Sequence, residues 1–215
     1  MSEGHSGLVA HQFETAEQQK DTVNLGMWSF LITEVMMFGA LFAAYGFYRT
    51  KYPAAFAAGS DHLDYFMGAF NTAVLICSSL TMALAVHAAQ IGKRKGIILF
   101  LLLTILLGGV FLGVKVVEYM DKYEHHLIPG IHFSVESPFA PQIELFYCFY
   151  FAMTGLHALH MIVGIVIMGT LTVLAYRRRF SADYYNPVEI AGLYWHFVDI
   201  VWIFLFPFLY LIGRS

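Results

Sequence analysis

Apolar residues gather in five long runs, at 25–48, 66–89, 96–117, 145–176 and 190–212, and the stretches between them are polar. A helix rises about 1.5 Å per residue, so about 20 residues cross the hydrocarbon of a bilayer. Each run meets that length, and none alternates like the strands of an outer-membrane barrel. The pattern predicts an all-α fold: one membrane domain over 1–215, a bundle of five transmembrane helices behind a polar N-terminal segment, 1–24. The fourth run is longer than a perpendicular span, so it is expected to tilt or to project from the bilayer. Between Met1 and Thr22 no basic stretch leads into an apolar one, and no signal peptide is expected there.

Composition agrees with the pattern. The chain is 59% hydrophobic and 13% charged, whereas a soluble domain carries about 25% charged residues. A soluble globule of 215 residues has no place to hide that much apolar surface. Twelve Lys and Arg against fifteen Asp and Glu leave no basic excess for nucleic acid. The two cysteines, Cys77 and Cys148, lack C-x-x-C spacing and are expected as small core residues.

Basic residues in short loops set orientation. Lys93, Arg94 and Lys95 separate the second and third runs, and Arg177, Arg178 and Arg179 separate the fourth and fifth. Placing both triplets inside puts the N-terminus inside and the C-terminus outside. Arg49, Lys51, Lys122 and Arg214 then fall outside. Aromatic residues fit as belts, with Trp28, Trp195, Tyr176 and Tyr194 at inner ends and Tyr48, Tyr119, Tyr147 and Tyr210 at outer ends. The longest loop, 118–144, holds Glu118, Asp121, Glu124, Glu136 and Glu144, and is expected as a structured external loop.

Ionisable groups at bilayer depth are costly and mark candidate sites. Glu34 lies about 15 Å into the first run, close to the midplane, and requires a hydrogen-bond partner. It is either a proton-exchanging or lipid-facing carboxyl, or a buried acid bonded to a neighbouring helix. His196 and Asp199 stand three apart on one face of the fifth run, at nearly the height of Glu34. They suggest an intramembrane polar layer, or a pair that locks packing. His157 and His160, in G-L-H-A-L-H, share a face of the fourth run. Haem ligation needs ligands facing each other from separate helices, and packing histidines are the simpler reading. With Glu34, His196 and Asp199, His157 and His160 make up the candidate intramembrane polar layer. Thr154, one turn before His157, is a candidate partner for it.

Lys115 and Glu118 read as a structural pair that snorkels to the outer surface. Gly109 and Gly113 form a G-x-x-x-G close-packing motif. Asn71, Thr72, Ser78 and Ser79 suit hydrogen bonds between helices. No Gly-rich phosphate loop, catalytic triad or soluble-domain copper ligand set is assignable.

Taken in order, W-H-F-V-D-I-V-W at 195–202, T-G-L-H-A-L-H-M-I-V-G at 154–164, E-V-M-M-F from Glu34, N-T-A-V-L-I-C-S-S from Asn71, and Glu118 with Tyr119 resemble subunit III of the haem–copper oxidases. The resemblance runs from Leu25 to Gly213. Fuller members have seven helices, and this chain looks like the five-helix form that lacks the first two. In the longer form a cleft between those two and the rest holds phospholipid; that cleft is not complete within this chain, which leaves only the helix faces as candidate phospholipid-binding surfaces. The family's counterpart of Glu34 is the carboxyl attacked by hydrophobic carbodiimides. Lys115 departs from a position that is usually uncharged.

The resemblance implies an accessory subunit of a proton-pumping terminal oxidase that moves electrons from cytochrome c to oxygen. Haem and copper would belong to the partners, catalytic subunit I and subunit II, with none in this chain. It would support the catalytic subunit's stability and proton uptake in a bacterial cell membrane. A quinol oxidase or nitric oxide reductase complex is the second reading. An autonomous transporter or a haem-bearing cytochrome is the third; a transporter is expected to break helices at mid-depth, and here Pro207 lies past the midplane.

Overall fold

The computed structural model describes residues 13–130, 133–135, 137–181 and 184–211. Among these are six α-helices: α1 (Ala16–Lys51), α2 (Pro53–Asp61), α3 (Tyr65–Gln90), α4 (Arg94–Glu124), α5 (Ala140–Tyr176) and α6 (Asn186–Phe206). A π-helical turn, Pro207–Leu211, continues α6. The described residues form no strand. Five helices are long and apolar enough to cross a membrane; α6 with its π turn counts as one, and α2 is not among them.

Local chemistry sets the helix ends. Thr15 caps α1 by accepting from the Gln18 amide at 3.1 Å. Asp64 caps α3 by accepting from the amides of Phe66 at 2.8 Å and Met67 at 3.2 Å. Proline opens α2, α5 and α6, where its missing N–H is not needed. The turn from α3 to α4 is tight because Gly92 takes φ 67, a conformation a side chain would resist. At its far end Arg94 donates to the carbonyls of Ala175, at 3.0 Å, and Tyr176. This bond brings both basic triplets to one end of the bundle.

The helices outrun the apolar runs. The 37 residues of α5 span about 55 Å, well beyond a hydrocarbon core of about 30 Å. Helix α4 continues to Glu124, so the expected long loop shortens to 125–139. Its described part is pinned where Glu144 accepts from the Gly130 amide at 2.8 Å. Glu136, Arg214 and most of the polar N-terminal segment lie outside the described residues. Helix α2 was not foreseen, because nine residues are too few for a span. It buries Phe56 and Gly59 against α5, where Phe146 leaves no room for a Cβ on Gly59.

Trp195 of α6 occupies the centre. A Cβ on Gly108 of α4 would lie 2.9 Å from its ring, and one on Gly164 of α5 2.7 Å. Its indole N–H donates to Ser78 Oγ of α3 at 2.9 Å. Three helices therefore close on one ring, a contact that lipid cannot supply and that favours association in a bilayer. This corrects the expectation of Trp195 in an interfacial belt. Tyr147 and Tyr210 also turn inward and are fully buried. Gly109 and Gly113 have nothing within 4 Å of a would-be Cβ, so the close-packing glycines are Gly108 and Gly164 instead. Cys77 and Cys148 are exposed, not core, because an apolar run in a membrane helix also faces lipid.

Gly164→Ala is expected to lower the stability of the detergent-solubilised protein by about 1–3 kcal/mol through overpacking against Trp195. Gly109→Ala is expected to shift it by no more than about 0.5 kcal/mol. Thermal unfolding of the two variants side by side checks this contrast.

Candidate functional site

Glu34 of α1 and His160 of α5 meet across the bundle. Glu34 Oε2 lies 3.1 Å from His160 Nε2, and His160 Nδ1 lies 2.8 Å from the Leu156 carbonyl. A carbonyl only accepts, so Nδ1 carries a hydrogen. Nε2 then faces the carboxyl as the second nitrogen, and the contact requires one proton between the two groups. The pair is either carboxylic acid with imidazole or carboxylate with imidazolium. Phe38 packs edge-on against the imidazole at 5.4 Å and Tyr194 stacks at 6.4 Å. The Tyr194 hydroxyl donates to the His160 carbonyl at 3.0 Å, fixing that turn of α5 against α6. Glu34 and His160 both line a cavity of about 650 Å³ between α1, α5 and α6, whose other walls include Phe30, Val163 and Tyr194.

The other members of the expected polar layer lie elsewhere. His157 is fully buried and neither ring nitrogen has a hydrogen-bond partner. It sits between Phe111 at 5.4 Å and Trp202 at 5.2 Å. Thr154 does not reach it, and bonds instead to the Tyr150 carbonyl at 2.7 Å and to the Tyr119 hydroxyl. His196 Nδ1 lies 2.8 Å from Ser79 Oγ. Asp199, only 4% exposed, has neither oxygen hydrogen-bonded. The five residues therefore divide into a paired site, a core histidine and a separate groove between α3 and α6. The reason is azimuth: residues at one height on different helices meet only if their faces converge. From α6 to α3, Trp202 also donates to Thr72 Oγ1 at 3.1 Å. Asn71 is buried without a partner. Among the described residues no three His, Cys, Asp or Glu side chains converge as a metal-ligand set.

The Lys115–Glu118 pair is the largest departure from expectation. Lys115 is 3% exposed and Glu118 2%, so neither snorkels. Lys115 Nζ donates to Glu118 Oε2 at 2.8 Å, Tyr210 at 3.0 Å and Tyr150 at 3.2 Å. Those three bonds use all three ammonium hydrogens. Tyr210 in turn donates to Glu118 Oε1. Rings of Tyr119, Tyr150, Trp202 and Tyr210 surround the ammonium at 5.1–5.6 Å, within cation–π range. Two turns on from Lys115, Lys122 is also buried and donates to the His62 carbonyl at 2.9 Å and to Asp121 at 2.7 Å. The spacing 104, 108, 111, 115, 118, 122 marks these residues as one buried stripe of α4, a signal present in the sequence.

Lys115→Met strands Glu118 in the core and is expected to cost about 3–5 kcal/mol, whereas Lys115→Met with Glu118→Leu recovers most of it. Thermal midpoints of the single and double variants in the solubilised protein check this.

Comparison with known proteins follows this geometry. The model of the family described as cytochrome c oxidase subunit III matches residues 8–214. Cytochrome c oxidase subunit 3 of Thermostichus vulcanus is 35% identical over 216 residues, covering 99% of this chain and 96% of that protein. Cytochrome bo(3) ubiquinol oxidase subunit 3 of Pseudomonas aeruginosa is 31% identical, covering 95% and 92%. Quinol oxidase subunit 3 of Bacillus subtilis is 31% identical, covering 88% and 86%. With five helices suited to crossing a membrane, the chain belongs to the cytochrome c oxidase subunit III family, as a multi-pass membrane subunit of a hetero-oligomeric haem–copper oxidase.

Proposed function

We propose that this chain is a non-catalytic subunit that holds no haem or copper of its own. It braces the catalytic subunit I, beside subunit II, and supports proton uptake into it. Electrons pass from cytochrome c to oxygen in those partners. The end of the bundle bearing Lys93–Lys95 and Arg177–Arg179 faces the cytoplasm, with the N-terminus inside and the C-terminus outside, in a bacterial cell membrane. Phospholipid covers the exposed helix faces that no partner subunit covers.

The Glu34–His160 contact carries this reading. A carboxyl and an imidazole that share one proton can hold or pass that proton without a redox centre. They line a cavity between helices instead of being sealed in the core. The buried charges Lys115 and Glu118, by contrast, saturate each other and serve packing. A quinol is the second reading for the electron donor, supported by relatives named as quinol oxidase subunits. The donor is set by partner chains.

Glu34→Gln is expected to leave the oxidase assembled and to abolish labelling of this chain by a hydrophobic carbodiimide. Proton uptake per turnover and the survival of activity during sustained turnover are expected to fall. Full-yield labelling of the Gln variant removes Glu34 as the target. Unchanged proton uptake and unchanged turnover lifetime remove the pair from the function.

A further inference from the structure

The groove between α3 and α6 stands apart from the Glu34–His160 cavity. It encloses about 410 Å³, with Ser79, His196 and Asp199 at its polar wall. Ile76, Leu80, Ile200 and Ile203 line it too, and all four are exposed. Glu34 has His160 and Glu118 has Lys115 and Tyr210. No group makes a well-aligned hydrogen bond to either Asp199 oxygen. Ser79 lies beside its carboxyl, but the Ser79 hydroxyl is engaged with His196. Even a Ser79 proton turned toward Asp199 would leave the second oxygen unmet.

Depth decides what can supply the missing donor. Asp199 lies about 20 Å along α6 from Asn186, midway along a span of 26 residues. Lipid phosphates and headgroup amines sit about 15 Å from the midplane, and acyl chains carry no donor. A carboxyl oxygen accepts a hydrogen bond whether the group is acid or anion, so a neutral donor suits either state. At this depth such a donor comes from a polypeptide or from a trapped water, and the exposed aliphatic sides of the groove, which water does not cover, favour the polypeptide. The aliphatic sides of the groove match the rest of a helix face, as small polar residues framed by apolar ones do between membrane helices.

We infer that the α3–α6 groove seats a transmembrane helix of a partner oxidase subunit, which lays a neutral donor side chain, hydroxyl or amide, against Asp199. The inference rests on the reading of the chain as a docked subunit, and adds the face and the recognition chemistry.

The test uses the whole complex, purified through a tag on this chain, with a photo-reactive amino acid at Leu80 or at Ile203. Adducts mapped by peptide mass spectrometry are expected on a transmembrane segment of the haem-bearing subunit. Asp199→Leu is expected to lower retention of this chain on the complex after a detergent wash by about threefold to thirtyfold, with Asp199→Asn close to wild type. Adducts only to lipid, or only to a second copy of this chain, overturn the inference while the haem-bearing companion still co-purifies. So does undiminished retention of Asp199→Leu. Absence of any haem-bearing companion overturns the docked-subunit reading instead.

Discussion

An ammonium group inside a helix bundle persists only where every one of its N–H groups is taken, and Lys115 meets that condition with Glu118, Tyr150 and Tyr210. Much of the bundle depends on it. Tyr150 belongs to α5 and Tyr210 to the π turn, so the ammonium ties α4 to both. Tyr210 is placed by the break at Pro207, which withholds an amide from the α6 ladder. Side chains of neighbouring helices bond to carbonyls of the π turn itself. Tyr45 donates to Phe208 at 2.9 Å and Ser60 to Leu209 at 2.8 Å. These two bonds tie α1 and α2 to the π turn.

Apart from this saturated Lys115 cluster stand two polar places that face cavities. Glu34 and His160 complete each other and keep one proton between them. Asp199 is not completed within the chain. Buried charges spent on packing, and a carboxyl–imidazole pair beside an interhelical cavity, are the features that the proposed role, support of a neighbour's chemistry, requires. Trp195, clamped by Gly108, Gly164 and Ser78, holds α6 in register so that His196 and Asp199 project toward α3.

The spans were legible because a bilayer imposes length and apolarity on every crossing helix. Depth was legible too, since residue count measures it. Azimuth was not. Trp195, Tyr147 and Tyr210 have belt-like depths and yet face inward, while Cys77 and Cys148 lie in apolar runs and yet face out. Gly108 differs from Gly109 by one residue and by 100° around the helix, which is enough to exchange a tight contact for open space. The pairing of Glu34 with His160 joins residues 126 apart in the chain, and only packing reveals it. The burial of Lys115 was recoverable, because its spacing from Phe111 and Gly108 continues the apolar stripe of α4.

Visible absorption spectra of this chain, taken within its complex and after separation from its partners, test the central claim most directly. The account predicts haem bands in the complex and none in the separated chain. A haem band that stays with the separated chain contradicts it.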